Sequence, residues 1–261
     1  MTPNRPTALI TGASSGIGRA LVENFAQAGY DVILTARDAS SMEAHAADLQ
    51  KRYGITPLIL VADLESDAAP SKLHSDIKSR GITLSALANN AGYGTYGLFQ
   101  DTALDRELAM MQLNMKAVVA LTKLFLPDLL ATKGKIINTA STAAFQPGPY
   151  MAVYYATKAF VLSFSEALAA ELAETGVTVT ALCPGPTASG FQDRAEMNHS
   201  KFVVGKTLPT ADEIARRGFR AMQRGQRVYV PGIKNWLLAQ VPRFAPRSLV
   251  TRIVMFVSGP V

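Results

Sequence analysis

The sequence predicts an α/β fold: a doubly wound parallel sheet of about seven strands, helices on both faces and a C-terminal helical tail. Three observations predict it. Short β-branched, apolar runs alternate with longer segments of helical period. Several runs, such as Val177-Thr178-Val179-Thr180-Ala181-Leu182, have almost no charged or strongly polar residue, as strands buried on both faces require. The first run leads through a glycine-rich turn directly into a helical pattern.

In chain order the predicted strands are Thr7–Thr11, Asp31–Ala36, Pro57–Ala62, Leu84–Asn89, Lys135–Ala140, Val177–Cys183 and Arg227–Val230. Helical periods fall near residues 16–28, 40–53, 67–79, 103–131, 153–174 and 210–224. Strict β-α alternation implies right-handed crossovers that place helices on both sides of one sheet. Thr210 with Glu213 three residues on is a capping box at the start of the last of these helices. Gly218 inside it weakens the expectation of an unbroken helix. Residues 186–206 show no strong period and are expected to form a mobile flap where a substrate enters. One catalytic domain over 1–232 and a basic amphipathic extension over 233–261 is the simplest division.

At 261 residues with 48% hydrophobic content, the chain can bury a sizeable core. The 18% charged fraction argues against disorder. Cys183, the single cysteine, cannot form an internal disulfide, which points to a reducing compartment; it reads as a buried hydrophobe. The first six residues predict no signal peptide, and no stretch approaches the length of a membrane span, so a cytoplasmic location is expected. Charge is uneven. Residues 201–261 carry 11 Lys/Arg and two acids, for a net +9, and residues 1–200 carry −3. The imbalance suggests an acidic partner at the C-terminal end or a solvated basic surface. Nothing points to nucleic acid. His45, His74 and His199 lack metal-ligand spacing, so no metal site is expected.

The turn Thr11-Gly12-Ala13-Ser14-Ser15-Gly16-Ile17-Gly18 carries the first chemistry. Its glycines permit a tight turn and close backbone approach, and the helix that follows offers free N–H groups to a pyrophosphate. The second strand ends in Ala36-Arg37, where an acid would bind the ribose hydroxyls of NAD. Ala36 cannot do so, and Arg37 can pair with a 2′-phosphate, which points to NADP(H). Asp38, directly following, would repel such a phosphate if misplaced. Asp63, before Leu64 at the end of the third strand, either accepts from an adenine amino group or caps the next helix.

Tyr154 and Lys158 lie i, i+4 on one helix face. A phenol titrates near 10, and a neighbouring ammonium is expected to lower that value by about 1–3 units, making it a usable acid-base group. Ser141 sits just past a predicted strand, where parallel sheets bind ligands, and its hydroxyl can stabilise charge on a reacting oxygen. Thr139 and Thr142 are alternatives for that role.

Together these residues resemble the short-chain dehydrogenase/reductase family, with its Rossmann-type fold, from Thr7 to about Pro231. The turn Thr11–Gly18 matches the family's nucleotide signature. Asn89-Asn90-Ala91-Gly92 matches its motif after the fourth strand, and Asn114, Ser141, Tyr154 and Lys158 match its catalytic tetrad in order and spacing. Pro184-Gly185 with Thr187 resembles its motif after the sixth strand. The resemblance implies that Tyr154 is the general acid/base, that Ser141 polarises the substrate oxygen, and that Lys158 tunes Tyr154 and binds the nicotinamide ribose. Asn114 would hold a water that relays protons from Lys158 to solvent. Gly12, Ser14, Ser15, Gly16, Ile17, Gly18, Arg37, Asp63, Leu64, Asn90, Ala91, Gly92, Pro184, Gly185 and Thr187 would line the cofactor site, while Asn89 ties strands. The substrate would meet Ser141, Tyr154, Tyr93 and Gln146. An apolar pocket is expected from Tyr96, Phe99, Phe145, Pro147, Tyr150, Met151, Phe191 and Met197 beside Tyr93. The resemblance also implies a homodimer or homotetramer. It departs at Ser15, where many NADP-dependent members carry a basic residue.

The expected function is therefore NADP(H)-dependent interconversion of a carbonyl and an alcohol on an apolar small molecule. A non-catalytic NADP sensor is the alternative, as is an adaptor that uses the basic tail. In that tail Ile233, Trp236, Leu237 and Val241 recur at helical spacing, as do Leu249, Val250, Ile253, Val254 and Val257, with Arg243, Arg247 and Arg252 between them. Such a segment either lies on an anionic membrane, covers the pocket, or packs against the protein or a second subunit.

Overall fold

A computed structural model describes residues 5–197, 200–201, 204–205 and 207–260. Seven parallel strands form one sheet: β1 (Thr7–Thr11), β2 (Asp31–Thr35), β3 (Leu58–Ile59), β4 (Ala86–Asn89), β5 (Lys135–Thr139), β6 (Thr178–Leu182) and β7 (Val228–Tyr229). Their spatial order is β3-β2-β1-β4-β5-β6-β7. All seven predicted strands are present; only the two edge strands, β3 and β7, are markedly shorter than their apolar runs. An edge strand has a neighbour on one side only, so its ends lack the pairing that would extend them.

Chain direction reverses between β1 and β4. The chain winds outward through β2 and β3, returns to β4 on the other side of β1, and winds outward again. That reversal opens a crevice at the carboxyl ends of the strands. Alternate residues of each strand serve opposite faces. Ala8, Ile10 and Ile137 join the core under α1 (Gly16–Gln27), α2 (Ala39–Tyr53) and α8 (Ala211–Gln223). Leu9, Leu87 and Ile136 join the core under α3 (Ala69–Lys78), α5 (Ala117–Thr132) and α6 (Ala152–Glu171).

One helix differs from its sequence pattern. The expected helix 103–131 is α4 (Leu104–Met111), a π-helical turn over Gln112–Lys116, and α5. A π turn inserts an extra residue and re-aims the side chains in it; here it contains Asn114. Gly218, by contrast, does not interrupt α8. A Cβ there would lie 2.7 Å from Leu182 Cδ2, so the glycine lets α8 sit close on β6. Thr210 caps α8 as expected, accepting from Glu213 N at 3.2 Å. The Glu213 carboxylate pairs with Arg217 one turn on.

The described residues of the segment 186–206 include α7 (Phe191–Arg194) and two bridging residues: Ala188 bridges to Thr210, and Ser200 bridges to Pro260. His199 lies outside the described residues. Beyond Gly232 the chain forms α9 (Ile233–Gln240), a 3-10 turn, and α10 (Arg247–Ser258).

Candidate active site

One cleft of about 1280 Å³ runs from the glycine turn to the start of α6. It exceeds the ~300–1,000 Å³ of ordinary small-ligand pockets, so it has room for a dinucleotide and a substrate together.

Its first wall is the turn between β1 and α1. Gly12 and Gly16 hold φ of 67° and 53°, a region that side chains avoid. Gly18 is required for a different reason: a Cβ there would sit 2.1 Å from the Gly12 carbonyl oxygen and 2.5 Å from Asn90 Nδ2. Asn90 buttresses the turn, donating from Nδ2 to the Thr11 carbonyl and accepting from Thr139 through Oδ1. Ser15 stands at the N-cap of α1 and makes no side-chain cap bond, and no acid occupies the first turn. The free N–H groups of α1 therefore face the cleft with their partial positive charge uncompensated. We expect Gly18→Ala to distort this turn, at a cost of about 1–3 kcal/mol. A fall in Tm together with weaker NADPH binding checks it; an unchanged Kd would show that the turn tolerates the methyl.

Arg37 lines the cleft beyond β2, its Nη1 3.0 Å from Glu65 Oε1. Asp38 lines the same cleft. It caps α2, accepting from Ser41 N at 3.0 Å and from the Ser40 and Ser41 hydroxyls, bonds that hold its carboxyl below the usual range. Asp63 lines the cleft as well and folds its own turn by accepting from Glu65 N at 3.1 Å. It does not cap α3, whose N-cap is Ala68. Leu64, Ala91 and Gly92 complete this wall. Asn89 lies behind it, tying β4 to β5 through Asn138 and to α5 through Thr122.

The second half of the cleft gathers the predicted tetrad. Ser141 follows β5 and is oriented by two bonds: it accepts from Ala143 N at 3.1 Å and donates to the Pro184 carbonyl at 3.4 Å. Its hydroxyl also bonds to the Tyr154 phenol. Lys158 Nζ donates to the Thr139 carbonyl at 2.7 Å and lies 5.8 Å from the centre of the Tyr154 ring. The π turn brings Asn114 to the same place, where its amide donates to the Tyr93 carbonyl at 2.9 Å and to Thr157 Oγ1 at 3.0 Å, and its Oδ1 accepts from Tyr93 N. Between them lies Gly92. A Cβ on it would be 2.7 Å from Asn114 Oδ1 and 3.5 Å from Lys158 Nζ.

The electrostatics correct one expectation. The Tyr154 phenol is not lowered; burial pushes it up to about 12, with the Ser141 hydrogen bond acting the other way. Burial also presses Lys158 down, to about 8. Both groups lose water, and desolvation disfavours the charged form of each. The ammonium spends its hydrogen bond on Thr139 and does not reach the phenol.

Of the expected pocket residues, Tyr93, Gln146, Met151, Phe191 and Met197 line the cleft. Phe191 lies 5.3 Å from Tyr154, ring centre to ring centre. Tyr93 turns its hydroxyl to the Arg106 carbonyl. Four others stand elsewhere: Tyr96 and Tyr150 stack on each other, with Tyr96 bonded to the Ser258 carbonyl; Phe99 is exposed; Phe145 packs with the Cys183 core. Pro147 is not among the lining residues. Pro184, Gly185 and Thr187 do line it. The sequence reading missed Tyr155, Arg194, Asn235 and Leu238, which also line it. Their only local signal is position, since each depends on how α6, α7 and α9 fold over the cleft.

Residues 6–199 match the family model described as short chain dehydrogenase. The chain belongs to the short-chain dehydrogenase family. It is 35% identical over 188 residues to a dehydrogenase/reductase SDR family protein 7-like of Anopheles gambiae, covering 70% of this chain and 59% of that one. It is 33% identical over 183 residues to a very-long-chain 3-oxoacyl-CoA reductase of Anas platyrhynchos, covering 68% and 58%. This short-chain dehydrogenase thus matches less than two thirds of the length of those relatives. A short-chain dehydrogenase from Sphingobium yanoikuyae, solved in complex with NADPH, superposes with a TM-score of 0.82 at 32% identity, covering 92% of this chain and 94% of that one. Among the described residues no group of acids, histidines or cysteines is placed to hold a metal, and no helix is long and apolar enough to cross a membrane.

Proposed function

We propose that this short-chain dehydrogenase interconverts a carbonyl and an alcohol with NADP(H), on an apolar small molecule. The observation that carries the reading is the meeting of Tyr154, Ser141 and Lys158 in the same cleft as an uncapped helix N-terminus and Arg37. The glycine turn fits a diphosphate: Gly12, Ser14, Ser15, Gly16 and Ile17 line the cleft at a helix start with no side-chain cap. Arg37 fits a 2′-phosphate. So does Arg194, which lines the cleft and whose pKa is pressed down by desolvation and by the neighbouring Arg37 charge. Arg194 would supply the second cation that Ser15 does not. The NADPH complex of the Sphingobium relative supports the same cofactor.

When bound, the nicotinamide supplies or accepts the hydride. The chain does the rest. In the reducing direction Ser141 donates a hydrogen bond to the substrate oxygen, and Tyr154 Oη gives that oxygen its proton. A phenol held at about 12 stays protonated across the neutral range, as a proton donor must. Lys158 would hold ribose hydroxyls and, on leaving Thr139 for them, bring its charge toward the phenol. Asn114 fixes the backbone of Tyr93 and the hydroxyl of Thr157, positioning the helix that carries Lys158. α9 and α10 form a C-terminal extension, and α9 closes one side of the cleft. α4 and α5 expose Leu104, Leu108 and Val119, which suit a homodimer contact; a molar mass of two chains by light scattering would support it.

NADPH consumption on a panel of apolar ketones tests the reading. Turnover that disappears in Tyr154→Phe supports it; no turnover on any carbonyl, with NADPH bound, would favour a non-catalytic NADP sensor. A pH prediction follows from Lys158. Its folded value of about 8 lies below the ordinary 10.5, so between those values the unfolded chain binds more protons and stability rises with pH. The rise amounts to up to about 3 kcal/mol. Tyr154, raised from 10 to about 12, and Cys183, raised from 9 to about 12, act with the opposite sign, above pH 10 and pH 9 respectively. Lys158→Met should abolish the rise between pH 8 and pH 10 in denaturant unfolding. A rise of equal size in the variant would show that the ammonium is not desolvated.

A further inference from the structure

We infer that α9, the 3-10 turn and α10 form a docking surface for an anionic lipid bilayer, and that docking presents the cleft mouth to lipophilic substrates dissolved in that bilayer. The inference rests on the carbonyl–alcohol reading for its substrate, not for its surface.

α10 is apolar on two sides. Val250, Val254 and Ser258 recur every four residues and face inward, the first two packing in the core around Tyr154. Leu249, Ile253 and Phe256 form a second stripe that faces outward, with Phe256 75% exposed. A helix that needs one apolar stripe to pack has no use in water for a second. α9 shows the same excess: Ala239 is its one buried residue, while Ile233 is 80% exposed and Trp236 and Leu237 are also exposed. Phe244, on the turn between the helices, is 87% exposed. Isolated exposed apolar residues are ordinary, but a continuous 26-residue segment presenting this many is not.

Charge selects the occupant. Glu213 is the last acid in the chain, and nine Lys/Arg follow it. Lys234, Arg243, Arg247 and Arg252 lie within the exposed segment itself. Lys201 joins them, its ammonium 5.2 Å from the centre of the Phe256 ring. A two-fold contact between copies would set this basic segment against itself, which like charges oppose. An anionic lipid surface complements it: aromatic and aliphatic side chains enter the headgroup boundary while the cations meet lipid phosphates and carboxylates. The same α9 borders the cleft through Ile233, Lys234, Asn235 and Leu238. The lipid-facing surface and the cleft mouth therefore share one helix, and an apolar substrate can pass between them without crossing water.

Co-sedimentation of the full chain with phosphatidylcholine vesicles, with and without phosphatidylserine, tests the surface. Binding to the phosphatidylserine vesicles should be stronger by roughly a hundredfold at low ionic strength and weaken with added salt. Arg243→Glu with Arg247→Glu should erase the preference for phosphatidylserine. Phe244→Ser with Phe256→Ser should weaken binding by about tenfold or more. All four positions are exposed and outside the cleft, so NADPH-coupled reduction of a small water-soluble ketone should be unchanged. Reduction of a long-chain ketone held in the vesicles should fall in parallel with binding. Absence of vesicle binding at low salt overturns the inference. So does a concentration-dependent dimer that Phe244→Ser dissolves without any lipid binding, which would assign the face to a second copy. Vesicle binding without turnover of any ketone would refute the catalytic reading and the substrate clause while leaving the docking surface standing.

Discussion

Tyr154→Phe should lower kcat by about 10²–10⁴, the usual worth of a positioned proton donor, while leaving the Kd for NADPH within roughly threefold of the parent. The phenol is buried, but its removal leaves no stranded partner. Ser141 keeps its bond to the Pro184 carbonyl and its bond from Ala143. The ring itself continues to pack against Phe191 and Tyr155. Loss of stability should therefore stay near the ~1 kcal/mol net worth of one hydrogen bond. A rate that collapses while Tm and cofactor affinity hold is what separates a proton donor from a structural tyrosine. Single-turnover kinetics with saturating NADPH make the measurement. A variant that reduces a ketone at the parent rate would remove Tyr154 from the chemistry.

Arg37→Asp should shift the ratio of kcat/KM for NADPH over NADH by about 10²–10³ toward NADH. The Arg37–Glu65 pair is largely solvent-exposed, and such pairs contribute ~0–1 kcal/mol. A 2′-phosphate can therefore displace Glu65 at small cost and gain charge-assisted hydrogen bonds of roughly 1.5–3 kcal/mol. The aspartate removes those bonds, repels the phosphate, and offers a carboxylate to the free ribose hydroxyls of NADH. Arg194→Gln should move the ratio the same way by about tenfold, because one cation remains. If both variants leave the ratio where it was, selection lies elsewhere in the cleft.

The positions of the strands and of the glycine turn were legible because each rests on local chemistry. β1 runs over Thr7–Thr11 as its β-branched run predicts, and Thr210 caps α8 through its own hydroxyl. The i, i+4 spacing of Tyr154 and Lys158 needs only a helix. The pKa of Tyr154 was not legible, because it depends on how much water the folded cleft excludes. Nor was the role of Asp38, a cleft-lining carboxylate that accepts the Ser41 N–H in the first turn of α2. The pocket residues divided for a similar reason. Tyr96 and Tyr150 carry the same side chain as Tyr93, yet α10 packs over them and draws Tyr96 to the Ser258 carbonyl.

The sequence by itself determined the α/β fold, the order of its elements and the residue types available for cofactor and proton chemistry. Those follow from side-chain period, glycine placement and helix spacing, all of them properties of neighbouring residues. Tertiary structure alone decided that a π turn aims Asn114 toward Thr157, that Arg194 lines the same cleft as Arg37, and that α9 borders the cleft with most of its apolar surface uncovered. Each of these joins residues far apart in the chain, and which surfaces meet is settled only when the whole core closes.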